Sequence, residues 1–192
     1  MTIDENFYAP RRPVGIVAVG DRGEALLLRA ILENLGAAVS LHLPGTPEDF
    51  LKVIGQGASA APVLLVSGHG DEAGFVFGEY APEIDVSALA GGRLGPEAIA
   101  TRTKLPGTVV ISTACATGSE AFGSAFLKGG ASAYIAPPGY PDGAYAALFV
   151  HRLMHGVMRK GLSLQDAFGE AQPADAGDGR FALHSSAHRA ET

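Results

Sequence analysis

The ten residues VVISTACATG (109–118) decide the fold assigned to this chain. Their first half is a β-branched apolar run, which is typical of a strand buried on both faces of a parallel sheet. Their second half contains Cys115, the only cysteine of the 192 residues, and continues with small residues. Open α/β sheets bind ligands at the carboxyl ends of their strands, so a thiol at this position is a candidate functional group.

An earlier stretch, VLLVSGHG (63–70), is built in the same way. It is an apolar run that ends in His69, which stands between two glycines. If the two runs form neighbouring parallel strands, a thiol and an imidazole meet at one edge of one sheet. A pair of this kind is what nucleophilic catalysis by cysteine requires, and it is the functional hypothesis for the chain.

The remaining sequence alternates between strand and helix patterns. Further strands are predicted at 14–19, 38–43, 133–136 and 181–184, with helical spacing between them. This alternation predicts a three-layer α/β/α sandwich around a mostly parallel sheet. We predict the strand order 2-1-3-4-5-6, with His69 and Cys115 at the ends of strands 3 and 4.

Local signals predict where two of the helices begin. Asp21 is expected to cap the first helix, with Glu24 reaching back to the cap and Leu27 on the apolar side. Thr46, followed by a proline, predicts the start of the second helix.

Length and composition indicate one domain, predicted at 13–184 with a flexible arm at 1–12 and a tail at 185–192. The formal net charge of −6 argues against nucleic-acid binding. No apolar run approaches the roughly 20 residues that cross a bilayer, and residues 1–8 lack a signal-peptide core. A single cysteine permits no internal disulfide. We therefore expect a cytoplasmic protein without a membrane or nucleic-acid partner.

These motifs resemble the caspase–hemoglobinase fold of cysteine peptidases, which includes caspases, metacaspases, legumain, gingipain, separase and the bacterial CHAT domains. His-Gly follows one apolar run, Ala-Cys follows the next, and 46 residues separate His69 from Cys115. The stretch at 112–118 is similar to the CHAT pattern of Ser-Ala-Cys followed by Thr-Gly. Residues 125–131 and 161–167 resemble the helix-to-strand step and the closing helix of that group.

The resemblance implies a thiol endopeptidase that works through a thioester and needs no cofactor. In that reading, His69 is the general base or acid for the nucleophile Cys115. The backbone N–H groups of Gly70 and Cys115 hold the oxyanion, and the backbone start of the following helix favours the thiolate. Side chains near Thr113 line the pocket for the residue before the cut.

Two carboxylates are candidates for that pocket. Asp142 falls roughly where separase-like and CHAT-like members place an acid, and such a group selects Arg or Lys by charge and geometry. The alternative is that Asp142 belongs only to the turn Pro141-Asp142-Gly143. Asp21 lies at the same edge, and helix capping is its alternative role.

The sequence also departs from the family. The caspase motif Gln-Ala-Cys-Arg-Gly is absent, and residues 136–138 read Ala-Pro-Pro where CHAT proteins usually carry an aromatic residue. No helical-repeat domain is attached, so a regulatory partner, besides the peptide or protein substrate, is expected to be a separate chain.

Other interpretations stay open at this stage. If His69 and Cys115 do not lie close together, Cys115 is a buried inert thiol. The chain is then a binding or scaffold module without catalytic activity. The stretch 113–136 also resembles the active-site segment of β-ketoacyl synthases, which place their histidines after the cysteine. A dinucleotide-binding glycine pattern is absent after the first strand. His151 and His155, and likewise His184 and His188, have metal-ligand spacing, but no metal site is predicted.

Overall fold

The computed structural model describes residues 11–20, 22–172 and 179–186. A 3₁₀ turn at Gly57–Ser59 and a π-helical turn at Gly156–Lys160 accompany the main elements. These are β1 (Arg12–Val19), α1 (Gly23–Asn34), β2 (Ala37–His42), α2 (Pro47–Ile54), β3 (Val63–Gly68), β4 (Gly70–Asp71), β5 (Gly74–Val76), β6 (Arg93–Leu94), α3 (Pro96–Arg102), β7 (Val109–Ser112), α4 (Glu120–Lys128), β8 (Ala133–Ala136), α5 (Gly143–His155), α6 (Leu164–Ala171) and β9 (Ala182–Ser185).

The central sheet has six strands in the order β2-β1-β3-β7-β8-β9. The first five strands of that order run parallel, and β9 pairs antiparallel with β8. Because β7, β8 and β9 are the predicted fourth, fifth and sixth strands, the predicted strand order is confirmed.

Alternate residues of the sheet enter two separate cores, one on each face. Ile16 and Leu65 belong to the core covered by α1, α5 and α6. Val17 and Val66 belong to the core covered by α2, α3 and α4. This two-sided burial explains why the central strands are continuous apolar runs with no polar face.

A second, three-stranded antiparallel sheet, β4-β5-β6, begins directly after His69. Its central residue Phe75 is fully buried, with ring centroids 5.9 Å from Phe50 of α2 and 5.8 Å from Phe122 of α4. Burying a phenylalanine side chain contributes about 1.5–3 kcal/mol. The segment that carries His69 is therefore tied to the helical layer beneath it.

The helix starts agree with the sequence only in part. Thr46 caps α2 as predicted, since its side chain accepts the Asp49 N–H. Asp21 lies outside the described residues, and α1 has Arg22 at its N-cap position with no side-chain cap. Leu27 is 52% exposed, so placing it on the apolar side was wrong. The fully buried leucines of α1 are Leu28 and Leu32.

Strand β1 begins at Arg12 and β9 ends at Ser185, and the domain limits 13–184 stay a prediction. Helix α5 is α-helical to His155, and the chain continues as the π-helical turn to Lys160. Among the described residues, no helix combines the length and apolar character needed to cross a membrane.

Candidate active site

The two residues singled out from the sequence lie at the same edge of the central sheet. Strands β3 and β7 are neighbours, with Val66 paired to Ser112. The Thr113 N–H continues the ladder by donating to the Val66 carbonyl at 3.0 Å. His69 and Cys115 each stand three residues beyond that pair. The shared register therefore brings both residues to the carboxyl ends of adjacent strands.

Gly70 is the point at which the two strand ends touch. A Cβ atom added there would lie 2.5 Å from the Cys115 carbonyl oxygen and 2.9 Å from Cγ2 of Thr117. Side-chain carbons do not approach a backbone oxygen so closely, so a residue without Cβ is required. His69 is consequently held by a segment whose backbone packs directly on the backbone of Cys115.

The two backbone N–H groups predicted to hold an oxyanion, those of Gly70 and Cys115, both lie at this edge. Val76 donates its N–H to the His69 carbonyl at 3.0 Å, which makes these residues a hydrogen-bonded pair. Bonded and non-bonded pairs alternate in an antiparallel ladder. Gly70, which pairs with Phe75, is therefore non-bonded and turns its N–H away from β5. The second N–H is that of Cys115, which lies beside its own thiol and lowers the thiol pKa.

The chain turns sharply after Cys115. Ala116 has φ = 55°, the one positive φ at a non-glycine residue in the described ranges. Its N–H donates to the Gly139 carbonyl at 2.8 Å, and the Gly118 N–H donates to the Pro137 carbonyl at 2.8 Å. A left-handed alanine costs about 1–3 kcal/mol. We call this turn, residues 115–118, the cysteine elbow. The segment after β8 holds the cysteine elbow in a conformation that the elbow would not adopt alone.

Buried hydroxyl groups support the cysteine elbow from below. Thr117 donates its hydroxyl to the Ala114 carbonyl at 2.8 Å, and the Ala114 N–H donates to Oγ of Ser112 at 3.1 Å. The Tyr134 hydroxyl donates to the Thr117 carbonyl at 3.0 Å. These polar groups are buried and mutually bonded, so their desolvation is offset.

His184 of β9 also contacts the cysteine elbow, a contact that sequence reasoning missed. Its Nε2–H donates to the Gly118 carbonyl at 2.9 Å, and its ring stacks on Tyr134. A Cβ atom at Gly123 of α4 would lie 2.4 Å from the ring, so that glycine makes room for it. His184 therefore braces the backbone, which is a different task from the metal ligation weighed for it from spacing.

Burial raises the pKa of the Cys115 thiol, and the negative charge of Glu24 raises that pKa further. The lowering by the Cys115 N–H does not compensate. Burial and Glu24 therefore favour the protonated thiol, and the expectation that the surroundings favour the thiolate is not met. His69 is exposed and open to solvent.

Glu24 makes polar contacts at this edge that sequence reasoning missed. Its Oε2 accepts the Thr113 hydroxyl at 2.7 Å and the Ser67 hydroxyl at 2.5 Å, while the predicted cap partner Asp21 lies outside the described residues. Both hydroxyls are buried and belong to the ends of β7 and β3. A half-buried carboxylate therefore bridges the two strand ends that lead to His69 and Cys115.

The three predicted pocket residues have different surroundings. The hydroxyl of Thr113 points to Glu24, at the base of the edge. Asp142 is exposed and caps α5, since its Oδ1 accepts the Ala144 N–H at 2.9 Å. That bond is the turn role weighed as its alternative, and a pocket role for Asp142 stays a prediction. Asp21 lies outside the described residues.

An acidic rim borders the same edge. Tyr140 is 55% exposed, and its hydrogen bond to Glu72 is the largest cause that raises its pKa. The charge of Asp71 and the nearby Cys115 act in the same direction. Asp71 is itself paired with Arg93 at 2.9 Å. The rim therefore places negative charge close to Tyr140, which also interacts with Cys115.

Metal-ligating residues do not gather in the part of the chain that the structure describes: no group of three or more His, Cys, Asp or Glu side chains could hold an ion. His151 and His155 are exposed neighbours on α5, with ring centroids 6.4 Å apart.

Comparison with solved structures places this architecture among known folds. The chain is similar to gingipain R, an Arg-specific cysteine proteinase, at a TM-score of 0.59 and 14% identity over 91% of this chain and 46% of that one. It is similar to the same extent to a complex of the RgpB pro- and mature domains from Porphyromonas gingivalis, at 0.59, 13%, 91% and 47%. For drICE the values are 0.46, 14%, 96% and 94%.

No family model and no curated protein matches the chain. The chain spans about half the length of the gingipain structures. At this identity the similarity concerns the fold, and the fold is that of the caspase–hemoglobinase group, a mainly parallel six-stranded sheet between helices.

Proposed function

We propose that this protein is a cysteine endopeptidase that uses His69 and Cys115 and prefers a basic residue before the cut. The observation that carries the proposal is the common register of the two residues beyond Val66 and Ser112, with Gly70 packed on Cys115. Two side chains that arise 46 residues apart share one edge because the strands beneath them are paired.

The chemistry follows from the protonated thiol. His69 accepts the Cys115 proton as the sulfur attacks the scissile carbonyl carbon, and the N–H groups of Gly70 and Cys115 receive the oxyanion. The carbonyl then re-forms, the C–N bond breaks, and the amine departs with the proton from His69. Water, deprotonated by His69, hydrolyses the thioester and returns the thiol. A donor of this oxyanion type contributes roughly 10²–10³-fold in rate.

The preference for a basic residue is supported by charge. The charge of Glu24 acts on the Cys115 thiol, and those of Glu72 and Asp71 act on Tyr140 near it, so their fields favour a cationic side chain at this edge. Within the proposal, Thr113 lines the pocket floor, and Asp142 and Asp21 are the carboxylates predicted at its mouth.

Gingipain R is described as Arg-specific, and RgpB is known in complex with its pro-domain. By analogy we extend the proposal to a regulatory polypeptide that covers the edge, supplied here by a separate chain. A cytoplasmic location is proposed with it, since the lone cysteine forms no internal disulfide.

Activity-based probes test the function directly. Peptidyl acyloxymethyl ketones with Arg, Lys, Leu or Asp next to the warhead should label the protein in the order Arg and Lys over Leu over Asp. Cys115→Ala should abolish labelling, and His69→Ala should slow it at least 100-fold without unfolding the protein. A folded protein that none of the four probes labels would instead be a silent scaffold with the same fold.

A further inference from the structure

Glu24 has a feature that structural support alone does not explain. Only Oε2 of its carboxylate is engaged, by Ser67 and Thr113. Oε1 accepts no hydrogen bond from the described residues, and none of their buried side-chain oxygens lacks a partner. Within the described residues Oε1 is thus left without a partner, while Oε2 of the same carboxylate joins the strand ends that lead to His69 and Cys115.

The charge of this carboxylate is also uncompensated within the described ranges. The ion pairs there join other acids, and Glu24 takes part in none of them. A half-buried carboxylate without a cation loses solvation that two neutral hydroxyls restore only in part. A cationic ligand at Oε1 would supply the missing partner.

We propose that Glu24 is the specificity-determining carboxylate for a basic substrate side chain, and that its pairing with this cation prepares Cys115 for attack. The inference rests on the proposed function and deepens it, because it gives a different carboxylate, Glu24 rather than Asp142 or Asp21, the central role in recognition.

The coupling follows from the placement of the charge. Glu24 stabilises the protonated thiol by repelling the thiolate. A guanidinium or ammonium group bound to Oε1 neutralises that repulsion, so the proton leaves Cys115 more readily once the correct substrate is present. Other charged and titratable groups of the surrounding elements include Arg22 before α1, His69 after β3, Asp71 (paired with Arg93) and Glu72 at the β4–β5 hairpin, Tyr140 after β8 and Asp142 at α5. Glu24 differs from them by joining both catalytic strand ends.

Alkylation measures this coupling without any turnover. Cys115 is the only cysteine, so the rate of iodoacetamide modification reports on that thiol alone. In the wild type, saturating butylguanidine should raise the rate at pH 7.5 roughly threefold, because a cation beside Glu24 weakens its repulsion of the thiolate. Butylurea, which has the same shape without charge, should not.

Glu24→Gln is the informative variant. The Gln side-chain oxygen can still accept the Ser67 and Thr113 hydroxyls, so the bridge survives and only the charge is lost. Its basal alkylation at pH 7.5 should be roughly threefold faster than in the wild type, with no response to butylguanidine. Glu33→Gln, at the exposed opposite end of α1, removes the same charge and should leave both rates unchanged.

Peptide cleavage supplies the second arm. The kcat/KM ratio of an Arg over a Leu substrate should fall roughly 10- to 100-fold in Glu24→Gln, the loss of one charge-assisted pair. A ratio that survives in Glu24→Gln but falls in Asp142→Asn would overturn the assignment and favour Asp142. A butylguanidine response that persists in Glu24→Gln would overturn the coupling. If the wild type cleaves no peptide and no probe labels it, the peptidase proposal fails. The alkylation rates would still test whether the charge of Glu24 acts on Cys115.

Discussion

At the scale of single residues, Gly70 is the position that the site tolerates least in altered form. Alanine there would place its Cβ 2.5 Å from the Cys115 carbonyl and would force the two strand ends apart. We expect Gly70→Ala to slow probe labelling about 100-fold or more, because it displaces both the proposed oxyanion donor and the adjoining His69. Labelling rates and circular dichroism of the same samples check this.

Gly169→Ala is the matched control. Gly169 lies exposed in α6, and a Cβ atom there meets nothing within 4 Å. Alanine in a helix interior should stabilise the protein by about 0.5–1 kcal/mol and leave labelling unchanged. Equal labelling of both alanine variants and the wild type would show that the contact of Gly70 with Cys115 is not needed for chemistry.

At the scale of elements, strand β8 supports the cysteine elbow, the turn that follows the neighbouring strand β7, through a side-chain hydrogen bond. Tyr134 is buried, its hydroxyl holds the Thr117 carbonyl, and burial raises the pKa of Tyr134 far above its ordinary value. We expect Tyr134→Phe to cost about 1–2 kcal/mol in free energy of unfolding at pH 7, because a buried carbonyl loses its donor. Labelling of Cys115 should also slow.

The pH dependence of that loss has a definite sign. The folded protein keeps the Tyr134 proton where the unfolded chain releases it, near pH 10. The stability that this hydroxyl contributes is therefore complete below pH 10 and decreases as pH rises above it. Urea unfolding at pH 7 and pH 10.5 should show a smaller difference between wild type and Tyr134→Phe at the higher pH. Tyr145→Phe, on α5 and outside the cysteine elbow, should show no such change.

The sequence predicted the elements better than it predicted their polar contacts, for a physical reason. Apolar runs and helical spacing are local patterns, and they were enough for the strand order and for the capping residue Thr46. Glu24 has a local cap as one option, but it bonds Ser67 and Thr113, which are 43 and 89 positions away. Choosing between these partners needs the sheet register, which no short window contains.

At the scale of the whole molecule, a sheet covered on both faces brings residues from separate parts of the sequence to one edge. Both faces are covered by helices, so the open surfaces near β3 and β7 are the strand ends. The pairing of β3 with β7 fixes the positions of the polar residues that follow these strands. These residues therefore lie at one edge without needing direct contacts between them. The cysteine elbow after β7 and the β4–β5 hairpin after His69 complete that edge.

The overall charge should assist the same edge in recruiting substrate. The chain carries a formal net charge of −6, the charge of Glu24 acts on the thiol, and those of Asp71 and Glu72 act on the neighbouring Tyr140. Long-range attraction between such a surface and a cationic peptide is screened within about 10 Å at 0.1 M salt. For an Arg substrate of net charge +3, kcat/KM should therefore fall about tenfold between 20 and 300 mM NaCl. A substrate with the same Arg but flanking glutamates, of net charge −1, should show a flat or rising dependence. Parallel decline for both peptides would mean that salt acts on the protein itself, and charge steering would have to be abandoned.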